Sequence, residues 1–263
     1  MINFDAHFWI TILFAFISSM IPALIWLYFW TREDCENPEP KNMLALAFAG
    51  GMVAVFLSLF LEKYFFDLGL NNIIESSIFS KIIPWFNNLA EQASLPLDKV
   101  LLVVIFAPII EEIIKFLMAY ILVLRSKDDD EPVDPMIYMI TTALGFTAVE
   151  NMLFLITPLI NNNFIMSIYT GNLRFIGATL LHIISSATVA VFLSFHFFDS
   201  KLKKIFFVAT GIIFSIVMHG IFNFLMVGDQ KSSTMALELI WIIVIILLLA
   251  FEKIKKIRLG QIN

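Results

Sequence analysis

The chain has a single cysteine, Cys35, among 263 residues. It can therefore form no intrachain disulfide and no cysteine metal cluster. The zinc-protease pattern His-Glu-x-x-His is missing, and no Gly-x-Ser-x-Gly nucleophile elbow occurs. Charge is also scarce. Charged residues make up 15% of the chain, against about 25% in soluble domains. The net charge of -5 leaves no basic face for a nucleic acid. Met1 to His7 contains no lysine or arginine, and the apolar run after it lacks a small-residue cleavage site. Residues 8–30 therefore read as a retained span, not a signal peptide.

The chain is instead rich in apolar side chains: 60% of residues are hydrophobic, with 28 Phe and a mean hydropathy of +0.89. That is the composition of an integral membrane protein. Seven apolar segments approach the ~20 residues a helix needs to cross hydrocarbon: 8–30, 43–61, 100–124, 136–158, 173–198, 205–228 and 235–251. No sustained period-two alternation supports strands. The expected fold is all-α: a polytopic membrane protein of about seven transmembrane helices, with a polar site between the central four. We treat 1–263 as one transmembrane domain with its motif-bearing core at about 100–228. Trp9, Trp26 and Trp30 sit where interfacial anchors belong. Ala45, Ala47, Ala49, Gly50, Gly51 and Ala54 give the second span a surface for close helix contact.

Seven spans put the two termini on opposite sides. Of the lysines and arginines, eleven, from Arg32 to Arg258, fall on one set of loops and five on the other. The positive-inside bias then places the N-terminus outside and the C-terminus in the cytoplasm. The connection Glu62 to Lys99 is extracytoplasmic on this reading. Its mixture of Ile78, Phe79, Ile82, Ile83, Trp85, Phe86 and Leu89 with Lys81, Asn87, Asn88 and Glu91 suits a helix lying in the interface.

Polar residues inside the spans stand out against this background. Glu111, Glu112 and Lys115 interrupt an otherwise apolar segment, at about 2.5–3.5 kcal/mol each on insertion scales. Glu111 and Lys115 are four apart and share a helix face, with Glu112 about 100° round, so that one carboxylate can pair with Lys115 while the other stays free. Pro108 is expected to kink the helix beside them. Glu150, His182, His219 and Asn223 lie on other spans, with His219 and Asn223 one turn apart. Counted from the outer span ends at 1.5 Å per residue, Glu111, Glu150, His182 and His219 lie roughly 12–17 Å deep. Four helices thus bring ionisable groups to one level, as a hydrated site requires and scattered structural hydrogen bonds do not. His196 and His7 fall near span ends as bystanders.

Carboxylates and imidazoles around a wet pocket suit water activation, with a donor steadying the oxyanion. Cys35, in a loop far from the deep histidines, does not fit a thiol protease. Ser185 and Ser186 have His182 one turn away, but helical serines also bond backbone carbonyls. Glu150, His182 and His219 could supply three zinc ligands with an open fourth position.

Glu111-Glu112-x-x-Lys115, Phe146-x-x-x-Glu150-Asn151, His182 and His219-x-x-x-Asn223 resemble the ordered motifs of the PrsW intramembrane proteases, relatives of the CAAX prenyl endopeptidases and the CPBP superfamily. The likeness covers about 100–228, including Asp134-Pro135 through Gly145-Phe146 and the approach from Arg174 to His182, and it suits a bacterial cytoplasmic membrane. It implies an endopeptidase acting on a membrane-anchored protein or peptide, with the first, site-1-type extracytoplasmic cut of an anti-sigma factor as the family's example. It further implies that Glu111 and Glu112 include the catalytic carboxylate, that Glu150 and His182 share the site, and that His219 and Asn223 steady the oxyanion. Lys115, Phe146 and Asn151 support them. Members are described both as metalloproteases and as metal-free glutamate proteases. No cofactor is assigned, and pairing His219 with Asn223, a poor zinc ligand, favours the metal-free form. Two other classes remain at this point: a non-catalytic CPBP-like binding or immunity protein, and an ion-coupled transporter. Against the transporter, no inverted repeat is present.

Overall fold

The computed structural model describes residues 6–33, 37–67 and 83–257. Every described element is helical, because backbone polar groups surrounded by lipid must be bonded within their own segment. The helices are α1 (Ala6–Thr31), α2 (Lys41–Asp67), the short α3 (Ile83–Ala93), α4 (Leu97–Leu101), α5 (Ala107–Leu122), α6 (Asp134–Ile160), α7 (Phe164–Ile176), α8 (Ala178–Phe195), α9 (Lys201–Val227) and α10 (Gln230–Ile254). A π-helical turn, Leu102–Phe106, joins α4 to α5.

Six stretches are long and apolar enough to cross a membrane: α1, α2, α6, α7 with α8, α9 and α10. The expectation of about seven is met in six. The segment expected at 100–124 is helical but divided by the π turn, and it carries the charged residues. The span expected at 173–198 begins earlier, at Phe164, and breaks at Gly177. Large apolar side chains such as Phe60, Ile213 and Leu249 face outward, a surface suited to lipid and not to water.

The core is built around α6, which packs against α1, α2 and α8. Where α2 crosses α6, the two backbones touch. A Cβ added at Gly51 would lie 1.9 Å from the Thr142 carbonyl oxygen, and one added at Gly145 would lie 1.9 Å from that of Phe48. The small residues of α2 therefore act as expected, and Gly145 is their counterpart on α6.

Cross-links between loops order the ends. At one end Lys255 pairs with Glu33 at 2.8 Å, Asn37 donates to Glu131, and Tyr138 donates to Glu39. At the other, Leu89 and Ala90 of α3 bury against Val100, Val104 and Phe224. Trp85 of α3 faces outward, 73% exposed. The part of the expected surface helix holding Ile78, Phe79, Lys81 and Ile82 lies outside the described residues, as does Cys35.

Candidate active site

The site begins with Pro108. In the π turn the Ala107 N–H reaches back to the Leu102 carbonyl, five residues away. The next bond in that register would join Val103 to Pro108, which has no N–H to give. The Val103 carbonyl is thus released from the helix, and Asn223 Nδ2 of α9 donates to it at 2.9 Å. Gly220 makes this approach possible, since a Cβ there would lie 2.8 Å from the Val104 carbonyl oxygen. The disturbance expected at Pro108 is therefore a change of helical register in the turn before it, and it is what fastens α9 to α5.

Directly after this turn, Glu111 and Glu112 diverge. Glu112 is 1% exposed, and its oxygens are heavily bonded. Oε1 accepts from Lys115 Nζ at 2.5 Å, from Ser185 Oγ at 3.0 Å and from His219 Nδ1 at 2.7 Å. Oε2 accepts from Ser215 Oγ at 2.9 Å. The lysine thus pairs with Glu112 at i,i+3, not with the residue at i,i+4. A carboxylate only accepts, so His219 carries its hydrogen on Nδ1 and presents the Nε2 lone pair.

Glu111 has the opposite surroundings. It is 8% exposed, its Oε2 has no hydrogen-bond partner, and it lines a cavity of about 380 Å³. Two imidazoles flank that oxygen, with His219 Nε2 at 3.9 Å and His182 Nδ1 at 4.0 Å. The rings of His182 and His219 meet edge to face. Glu111, His182 and His219 each present one ligand atom, all within 4.8 Å of one another. An orphaned carboxylate oxygen beside two imidazole nitrogens is a catalytic-zinc donor set with a fourth position open. The set fits a divalent metal, with one adjustment: Lys115 Nζ now holds His182 Nδ1 at 3.0 Å and would have to release it while staying on Glu112.

Glu150, expected among the zinc ligands, is used differently. Its Oε2 accepts from Arg174 Nη2 at 2.5 Å and from His182 Nε2 at 2.9 Å. That bond puts the His182 hydrogen on Nε2 and turns Nδ1 toward Glu111. Glu111 therefore takes the place in the trio that the sequence reading gave to Glu150. Arg174 also donates from Nε to Asn151 Oδ1 at 2.5 Å and lies over the Phe154 ring. Asn151 in turn donates to Thr179. Phe146 packs its ring against His182 and beneath the Lys115 ammonium.

The structure brings together Glu111, Glu112, Glu150, His182, His219 and Asn223, with Lys115, Phe146 and Asn151 around them. His196 lies apart, bonded to the Phe192 carbonyl. Ser185 serves Glu112. Two contributors, Ser215 and Glu62, are not singled out by the sequence reading, and a third, Arg174, is marked there only by resemblance. Ser215 lies four residues before His219 and eight before Asn223, a one-turn stripe that marks it. Arg174 enters the sequence reading as an outer loop charge and as the start of the family-like approach to His182, with no role of its own. Glu62, which lines the cavity from α2, was assigned to the connection.

Comparison with known proteins gives the chain a family. The family described as PrsW family intramembrane metalloprotease matches residues 39–251. Protease PrsW of Geobacillus kaustophilus (strain HTA426) is 24% identical over 223 residues, covering 83% of each chain. Protease PrsW of Clostridioides difficile (strain 630) is 22% identical over 88% of this chain and 86% of its own. The Bacillus subtilis (strain 168) Protease PrsW is 23% identical over 81% and 84%. No solved structure matches the chain. With four polar helices converging on one buried Glu/His/His cluster and the family match spanning most of its length, the chain belongs to the PrsW family of intramembrane metalloproteases.

Proposed function

We propose that the protein cuts a peptide bond in a membrane-anchored protein, with Glu111 activating the water. The observation that carries this reading is the unbonded, buried Glu111 Oε2, turned into a cavity between two imidazoles. Its 3.9 Å separation from His219 Nε2 leaves room for one water in contact with both. Glu111 takes the proton of that water as it attacks the scissile carbonyl, and returns it to the leaving amine. Glu112 holds His219 with Nε2 facing the water. Glu150 and Arg174 hold His182 in the matching orientation. Asn223 spends one amide hydrogen on Val103 and has a second to offer the developing oxyanion. A metal held by Glu111, His182 and His219 would polarise the carbonyl and acidify a bound water. The free oxygen of Glu111 is the essential atom in either chemistry.

The same reading makes the chain one transmembrane domain whose core runs from about 100 to 228. Leu97–Leu122 serves as a seventh crossing, with the N-terminus outside and the C-terminus cytoplasmic. The substrate would be an anti-sigma-factor-like single-pass protein in a bacterial cytoplasmic membrane. The test is membrane proteomics of cells carrying wild type or Glu111→Gln. The variant should accumulate an uncut single-pass protein. Equal processing in both strains would overturn the reading.

A further inference from the structure

Two polar side chains of α2 face the cavity and take no part in the network around Glu111. Ser58 is 1% exposed, lines the cavity, and its Oγ has no hydrogen-bond partner. Buried helical serines and threonines ordinarily return the hydroxyl to a carbonyl one turn back, as Thr188 does to Ile184. Ser58 does not. Glu62, one turn further along, lines the same cavity on the same helix face. Its electrostatic neighbour is Glu150, and among the described residues no cation pairs with it. The guanidinium in the cavity wall, Arg174, is already committed to Glu150 and Asn151. Glu111 has Lys115 nearby, whereas Glu62 faces the cavity with no cation of its own among the described residues. Whatever engages Glu111, Glu62 has no cationic partner in the cavity wall. Inside a membrane such a group is costly unless a cation reaches it.

We propose that Ser58 and Glu62 form a substrate subsite that selects a lysine or arginine side chain close to the scissile bond. Ser58 bonds the substrate backbone and Glu62 pairs with the basic side chain. The inference rests on the reading of this cavity as the peptidase site. The geometry suits an extended segment. One turn of α2 separates the two groups by about 6 Å along the axis, and an extended chain advances about 3.3 Å per residue. The basic residue thus lies two positions from the one that Ser58 holds. A volume of about 380 Å³ falls within the usual range for a ligand pocket.

The test uses the full chain in lipid nanodiscs and single-pass peptides that differ at one position, set to Lys, Gln or Glu and walked through the residues flanking the cut. At one position wild type should cleave the Lys peptide about tenfold faster than the Gln peptide. Glu62→Gln should reduce that ratio to below about threefold, and Glu62→Lys should invert it in favour of the Glu peptide. Ser58→Ala should slow all three peptides alike. Binding of the same labelled peptides to Glu111→Gln protein, with and without Glu62→Gln, reads the subsite apart from chemistry. Cleavage without any charge preference, or a preference unchanged in Glu62→Gln, overturns the subsite and leaves the peptidase reading standing. No cleavage of any peptide, with a Glu62-dependent preference for Lys in binding, overturns the peptidase reading and leaves the subsite standing.

Discussion

Glu111 and Glu112 are adjacent and chemically identical, yet their surroundings assign them opposite tasks. Glu111→Gln keeps the shape and removes the base, so cleavage should fall by about 10²–10⁴-fold with the thermal midpoint unchanged. Glu112→Gln keeps one acceptor oxygen but removes the negative charge that Lys115 and His219 share, and turns the other oxygen into an NH2 donor. Breaking a buried ion pair from one side costs about 3–5 kcal/mol, so this variant should lose thermal stability and yield along with activity. A thermal-shift assay beside a cleavage assay separates the two. If both variants prove equally stable, the role assigned to Glu112 fails. The sequence identified both residues, because two carboxylates inside an apolar span are conspicuous. It put Lys115 on the helix face of Glu111 and left open which carboxylate the lysine pairs with, because which one turns inward depends on the helix's azimuth, set by neighbours distant in the chain.

Among the helices, the α5–α9 junction rests on a single missing hydrogen. Pro108→Ala supplies an N–H that lets the Val103 carbonyl bond within its own helix. Asn223→Ala in the natural background strands that carbonyl and should cost about 1–3 kcal/mol. In the Pro108→Ala background it should cost much less. A double-mutant cycle of denaturation midpoints checks this, and strict additivity would contradict the coupling. At the α2–α6 crossing, Gly51→Val must push the backbones apart. It should destabilise by about 1–3 kcal/mol or more, readable by thermal unfolding in detergent. Helix positions were largely legible from hydropathy, and Gly51 announced itself within its run of small residues. The break at Gly177 was not legible, because apolar residues continue on both sides of it. Nor was the π turn, since neither Leu102 nor Phe106 differs in type from its neighbours.

For the whole molecule, the seven-crossing reading predicts that a tag on the N-terminus is digested by protease added to intact cells, while one on the C-terminus is protected. Acidity should act at the lysine-rich end. Burial, helped by nearby Asp134, pushes the Asp129 carboxyl up to about 7 from the ordinary 3.8. The folded state therefore retains a proton that the unfolded chain releases. That contribution to stability is complete below the ordinary value and is lost as pH rises through about 7. Thermal midpoints should fall over that range, and Asp129→Asn should flatten the fall. The expected orientation rests on lysine and arginine counts alone. The convergence of Glu111, His182 and His219 could be anticipated only as a common depth, because which helices touch is not written in any one segment. The bonding of Glu112 also has a consequence for biosynthesis. Lys115 leaves the ribosome almost together with it, but His219 follows 107 residues later. During that interval the nascent helix must carry a half-satisfied carboxylate through the insertion machinery, sheltered by its own lysine. A chain truncated before Ser215 should therefore remain with the translocon or be degraded, because the last helices to arrive complete the coordination that the third segment began.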